Sequence, residues 1–216
     1  MRDFPVFTTD FGVSSLILRE IPYKKEAYIR LLDVQPDGLA EHLEECIQFC
    51  RIAGAERVYA AGSGLNNYPK GAAVLEMHGI SCPDPEQAAC LFPVTEATVS
   101  LWREIYNKSM ANVDNAGTLE KRDEKQLLES TGVFFIHENK TLLGIGWIED
   151  HRLLAVAATK KGMGRRVMHT LLSACPGDDL LLEVASTNER AIHLYETLGF
   201  LKTRLLTQWH IVFPNL

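Results

Sequence analysis

The stretch Leu180–Phe200, LLLEVASTNERAIHLYETLGF, decides how this chain is read. It is an apolar strand, an Asn-containing turn, a helix carrying Tyr195, and a return to extended structure at Gly199-Phe200. Upstream, Ala155–Arg166 (AVAATKKGMGRR) runs as a strand through a glycine-bearing basic turn into a helix. A helix N-terminus offers unpaired N–H groups and the positive end of the helix dipole, so it binds phosphate readily. Gly162 and Gly164 let the backbone approach an anion without a Cβ in the way. Lys160, Lys161 and Arg165 add charge-assisted contacts. The plain alternative is a loop that ends a strand and starts a helix, with its lysines in solvent.

In this order and spacing the two pieces resemble the acyl-CoA half of the GCN5-related N-acetyltransferase (GNAT) superfamily, over roughly Leu91 to the C-terminus. The superfamily pattern Asn-x-x-Ala-x-x-Leu-Tyr-x-x-x-Gly-Phe is matched by Asn188, Ala191, Leu194, Tyr195, Gly199 and Phe200. The turn is similar to the signature Gln/Arg-x-x-Gly-x-Gly/Ala, with Gly162 and Gly164 in the glycine places. It departs at Thr159, which replaces Gln or Arg, and at Lys160, where a further glycine is common. The resemblance implies an α/β fold with a mixed (α+β) sheet and acetyl-CoA as co-substrate. Val156, Ala157, Ala158 and Thr159 would line the pantetheine arm with main-chain hydrogen bonds. The amides of Lys160, Lys161, Gly162, Met163, Gly164 and Arg165 would hold the pyrophosphate. Asn188 would contact the cofactor near its helix, a role compatible with capping that helix. Tyr195 would donate a proton to the leaving thiolate.

Acyl transfer from a thioester to an amine asks the protein to position both partners, stabilise an oxyanion and move protons. No carboxylate lies in Arg152–Ala158, the usual place for a base in this family. Glu183 on the next strand is the first candidate; Glu149, His151 and a water chain to bulk stay open. His169 and His193, among charged neighbours, read as surface or packing residues. Cys175 lacks a His at readable spacing, so transfer is expected without a covalent enzyme intermediate.

Two prolines and acidic residues in Ser81–Glu86 mark the expected boundary between a smaller α/β domain, 1–85, and an acetyltransferase domain, 91–216. In the first, Ser14–Glu20 and Ala27–Val34 read as a hairpin around Pro22–Lys25. Leu39–Ala53 is an amphipathic helix stopped by Gly54, and Arg57–Ala61 and Ala72–Met77 are short strands. In the second, Thr95 and Thr118 are expected to cap two helices. Val133–His137 and Thr141–Ile148 form a hairpin, and Leu205–Phe213 is a final strand. Leu31–Val34, a helix and Val58–Ala60 run parallel to Leu153–Val156, a helix and Leu180–Leu182. One reading is a degenerate GNAT-like half-copy with Gln35-Pro36-Asp37-Gly38 where the basic turn should be. The other is that strand-helix-strand units of this length look alike.

The net charge of −6 over 216 residues argues against a nucleic-acid or acidic-membrane binder. A hydrophobic content of 46% provides for a buried core, and no apolar run approaches a membrane span or a secretion signal. Five cysteines without metal-ligand spacing point to a reducing cytoplasm and no metal. The expected partners are acetyl-CoA and a small-molecule or peptide amine; Tyr106–Thr118 is expected to shape acceptor choice, and Asp114 and Glu120 hint at a cationic one. Exposed strand edges leave a homodimer open. The rivals to an enzyme are a non-catalytic acyl-CoA sensor and an interaction protein on a relic fold.

Overall fold

The computed structural model describes residues 5–214. The chain forms two compact units: the part up to Ala73 together with the segment from Leu206 onward, and the span Val74–Leu205. These limits differ from the 1–85 and 91–216 expectation. The Pro-rich segment stops regular structure as expected, yet it is not a linker, because its polar groups find partners on one helix of the second unit. Ser81 Oγ donates to the Leu172 carbonyl (2.9 Å), the Asp84 N–H to His169 Nδ1 (3.0 Å) and the Ala89 N–H to Thr170 Oγ1 (2.8 Å). His169, read as a surface or packing residue, is buried and serves packing.

In the first unit the strands are β1 (Val6–Thr9), β2 (Gly12–Ile17), β3 (Glu26–Val34), β4 (Arg57–Ala61) and the later part of β11 (Leu201–Phe213). They lie in the order β1-β2-β3-β4-β11. The β2–β3 connection holds a helical turn, α1 (Ile21–Lys24), because Pro22 sits where a helix start tolerates it. Helix α2 (Leu39–Ile52) buries Leu43, Cys46, Ile47 and Cys50 against Leu16, Ile29, Val58 and Val212. Strands β3 and β4 are parallel and paired without a break from Glu26↔Arg57 to Arg30↔Ala61.

The second unit takes β5 (Lys70–Ile80) from Val74 onward and adds β6 (Cys90–Pro93), α3 (Val99–Met110), α4 (Glu124–Glu129), β7 (Val133–Glu138) and β8 (Thr141–Glu149). Strand β9 (Arg152–Ala158), α5 (Gly164–Leu172), β10 (Asp179–Ala185) and α6 (Glu189–Thr197) follow. The strands lie in the order β5-β10-β9-β8-β7-β6, a mixed sheet in which only β9 and β10 run parallel. The first unit thus closes on a strand from the other end of the chain, β11 paired with β4, whereas the second closes on its own first strand, β5 paired with β10. Helix α3 starts later than expected, with Thr98 rather than Thr95 at its N-cap. Thr118 is buried, and a Glu120/Asp123 capping box opens the turn before α4 in its place.

In the first unit, His42 is fully buried, with Nδ1 2.8 Å from Thr9 Oγ1 and Nε2 2.6 Å from Ser14 Oγ. Burial lowers its pKa, against a smaller opposing pull from Glu45. The unfolded chain therefore takes up the proton first, near the ordinary value of about 6.5. Stability tied to His42 is complete above that pH and is lost as the pH falls towards the lower folded value. Thermal melts at pH 5 and pH 7.5 should show a drop in the native protein that is smaller in His42→Gln.

Candidate active site

The site is built on a ladder that breaks. Strands β9 and β10 pair only at Leu181↔Arg152 and Leu182↔Leu153, although both continue, to Ala158 and Ala185. Past that point β9 stays paired with β8 as far as Gly144↔Ala158, and β10 stays paired with β5 as far as Ala185↔Val74. A register shift in the β8–β9 ladder, where Trp147↔Ala155 gives way to Ile148↔Leu153, leaves Leu154 unpaired at the place of divergence. Such a bulge bends a strand and increases its twist, which turns β9 away from β10. The result is a notch lined on both sides by strand edges whose N–H and C=O groups lack a ladder partner.

At its open end β9 enters the basic turn. Gly162 has φ +88°, a conformation that strains any residue with a Cβ, and nothing lies within 4 Å of where that Cβ would be. A Cβ on Gly164 would sit 3.2 Å from Leu194 Cδ2, so this glycine serves the packing of α6 on the start of α5. Around the turn the backbone bonds are Thr159 N–H to Leu143 O, Met163 N–H to Lys160 O and Val167 N–H to Met163 O. The N–H groups of Lys160, Lys161, Gly162, Gly164, Arg165 and Arg166 donate to no described residue. Lys160, Lys161 and Arg165 form no ion pair with described residues, whereas Arg166 is engaged by Glu138. Free amides, a helix N-terminus and three cations without an ion pair among the described residues thus meet at this turn, an arrangement that favours an anion. Thr159, which departs from the signature, ties the turn to β8: its hydroxyl donates to the Leu142 carbonyl at 2.8 Å.

Asn188 caps α6, its Oδ1 accepting the Ala191 N–H at 3.2 Å. Its Nδ2 donates to no described residue. Tyr195 is 8% exposed and packs in the same cluster as Leu153 and Leu182, the last residue pair before the strands part. Its hydroxyl bonds to no described residue, and burial pushes its pKa up to about 12. Glu183 is the first β10 residue past the vertex. Its side chain is 50% exposed and paired with Arg152 at 2.6 Å. Glu149 and His151 lie at the closed end of β9, beside a recess of about 460 Å³ that they share with Asp178. His193 is exposed.

The loop after α3 is tied at its neck by Asn107, whose side chain donates to the Leu119 carbonyl and accepts the Leu119 N–H, both at 2.9 Å. Asp114 on this loop accepts the Thr187 hydroxyl at 2.6 Å, which holds the loop beside the β10–α6 turn. Glu120 is committed to its capping box and to Arg122, so the hint that it addresses a cationic ligand falls away. Glu76 on β5 was not singled out by the sequence. It lies directly across the ladder from Glu183, with a side chain only 10% exposed, paired with Arg204 at 3.0 Å.

The second unit is thus a mixed sheet with one splayed parallel pair and a glycine-bearing basic turn at the mouth of the splay. Residues 99–200 match the family model "Acetyltransferase (GNAT) family", and this part of the chain is a domain of that family. Among solved structures, a GCN5-related N-acetyltransferase from Sphaerobacter thermophilus superposes with a TM-score of 0.52 at 10% identity, covering 92% of this chain and 75% of that one. One from Anabaena variabilis gives 0.59 at 8% identity, covering 93% and 59%. A conserved protein of unknown function from Staphylococcus epidermidis gives 0.56 at 12%, covering 97% and 93%. At such identities the likeness bears on the fold. No curated protein matches the sequence significantly.

Replacing Asn188 by Ala should lower stability by about 1 kcal/mol through loss of the cap. Urea denaturation measures this directly, in the absence of any ligand.

Proposed function

We propose that the protein is an acetyl-CoA-dependent N-acetyltransferase that moves the acetyl group directly to a primary amine of a small molecule or peptide within a ternary complex. The observation that carries this reading is the notch between β9 and β10, which leads to free amides from Lys160 to Arg166. An extended pantetheine arm fits between strand edges because its amides replace the missing ladder bonds. On this reading Val156, Ala157, Ala158 and Thr159 line the arm, and the turn holds the pyrophosphate with help from Lys160, Lys161 and Arg165. Asn188 offers its free Nδ2 to the cofactor.

Tyr195 meets the departing sulfur. With its pKa near 12, the phenol is fully protonated at neutral pH and can donate a hydrogen bond. Full proton transfer to a thiolate whose acid has a pKa of about 8.5 would run uphill by several units. Tyr195 therefore stabilises developing charge, and the thiolate takes its proton from solvent. The loop from Tyr106 to Thr118 shapes acceptor choice, supported by its tether to Thr187 beside the cofactor helix.

The N-terminal half is read as a degenerate copy of the same unit. Its β3–α2–β4 crossover repeats β9–α5–β10, but its strands stay zipped through Arg30↔Ala61 and leave no notch. Free cysteines at Cys46, Cys50, Cys82, Cys90 and Cys175 suit a reducing cytoplasm.

Gly162→Asp, which adds bulk, strain and negative charge in the basic turn, should abolish saturable acetyl-CoA binding in calorimetric titration while the protein keeps its fold. Binding undiminished in that variant would sink the cofactor assignment. Tyr195→Phe should lower kcat at least tenfold with little change in acetyl-CoA affinity, on the order expected for loss of one positioned donor. An unchanged rate would remove Tyr195 from the reaction.

A further inference from the structure

Glu76 lies at the level where the chemistry would occur, on a strand that belongs in sequence to the N-terminal half. The paired part of β9 and β10 ends at Leu153 and Leu182, so the head of an arm lying in the notch stops at Leu154 and Glu183. Glu76 is the direct partner of Glu183 in the β5–β10 ladder. Directly opposed residues in an antiparallel pair have Cβ atoms about 5 Å apart and share one face of the sheet.

That face is the one away from Tyr195. Met77, Leu182 and Val184 belong to the cluster that holds Tyr195, and Leu75 packs against it. Side chains alternate along a strand, so Glu76 and Glu183 project from the opposite face. A thioester in the notch would thus have the phenol on its sulfur side and carboxylates on the side from which an amine can attack. The two carboxylates differ in surroundings. Glu183 is half exposed and faces Arg152, whereas Glu76 is nearly enclosed, with Oε2 on Arg204 and Oε1 3.3 Å from the Thr203 hydroxyl. A charge shielded from water acts more strongly on a reacting group.

We propose that Glu76, on the first strand of the second unit and outside the stretch 99–200 that matches the family model, is the carboxylate that takes the proton from the attacking amine. This rests on the acetyltransferase reading above. The nitrogen of a neutral amine forms a bond to the thioester carbonyl carbon, and the C–S bond breaks with its electron pair on sulfur. The proton surplus on nitrogen passes to the Glu76 carboxylate and on to water, and the CoA thiolate takes one proton from water. The net change is one amide and one thiol from one amine and one thioester.

The test follows thiol release from acetyl-CoA with benzylamine, spermidine and a lysine peptide as acceptors from pH 6 to 9.5, beside calorimetric titration with acetyl-CoA. Glu76→Gln should lower kcat about 100-fold or more, the range for a lost general base, with acetyl-CoA affinity within about threefold of native. Its rate should keep rising with pH where the native rate levels off, and Glu76→Asp should recover part of the loss. Arg204→Met breaks the same ion pair but spares the carboxylate, so it should stay within about fivefold of native. A Gln variant with native rate and pH profile overturns the proposal, as does an Arg204→Met variant as impaired as Glu76→Gln. Failure of the underlying reading looks different: the native protein then binds no acetyl-CoA or releases no thiol with any acceptor, and both ideas fall together.

Discussion

The molecule's chemistry depends on a parallel strand pair that is only partly made. Two neighbouring strands normally satisfy each other's backbone groups along their whole shared length, because an unpaired buried N–H or C=O is costly. Strands β9 and β10 forgo this after Leu153 and Leu182, and they remain in place because each has a complete partner on its other side. The bulge at Leu154 turns the divergence into a fixed property of the backbone. An extended ligand with its own amide donors and acceptors is what such an edge accommodates best.

The helix after the notch depends on close packing against the sheet. A Cβ at Gly144 would meet the Ala157 carbonyl oxygen at 2.4 Å, and one at Gly146 would meet Leu171 at the same distance. These glycines let α5 lie low over β8, so its N-terminus opens at the level of the β9 edge. The turn between them is held by Thr159 from below, while its own amides stay free. A residue that departs from the family signature has here become an anchor.

The sheet of the first unit ends on a strand drawn from the C-terminus, whereas that of the second ends on its own first strand, β5. The parallel crossover of the first unit is zipped where that of the second is splayed. The difference between the two strand-helix-strand crossovers lies in how far a single strand pair extends.

Much of this was legible in the sequence. The order of strands and helices from Val133 onward follows from apolar alternation, helical periodicity and glycine stops, which are local properties of the chain. The basic glycine turn was legible too, since Gly162, Gly164 and their basic neighbours are contiguous. Strands β1 and β6 are short and were not seen, and the boundary at Ser81–Glu86 misled because prolines report only that a regular element stops. Whether the freed polar groups then find partners, as Asp84 does on His169, depends on what packs beside them. The partnership of Glu76 with Glu183, separated by more than a hundred residues, has no local signature, and neither has the exposure of Glu183 to Arg152. The sequence by itself determined the elements and the glycine-bearing basic turn, because both arise from neighbours along the chain. Which strands stand side by side, where they part and which carboxylate is enclosed there were decided only by tertiary structure, because they depend on pairings between residues that the chain keeps far apart.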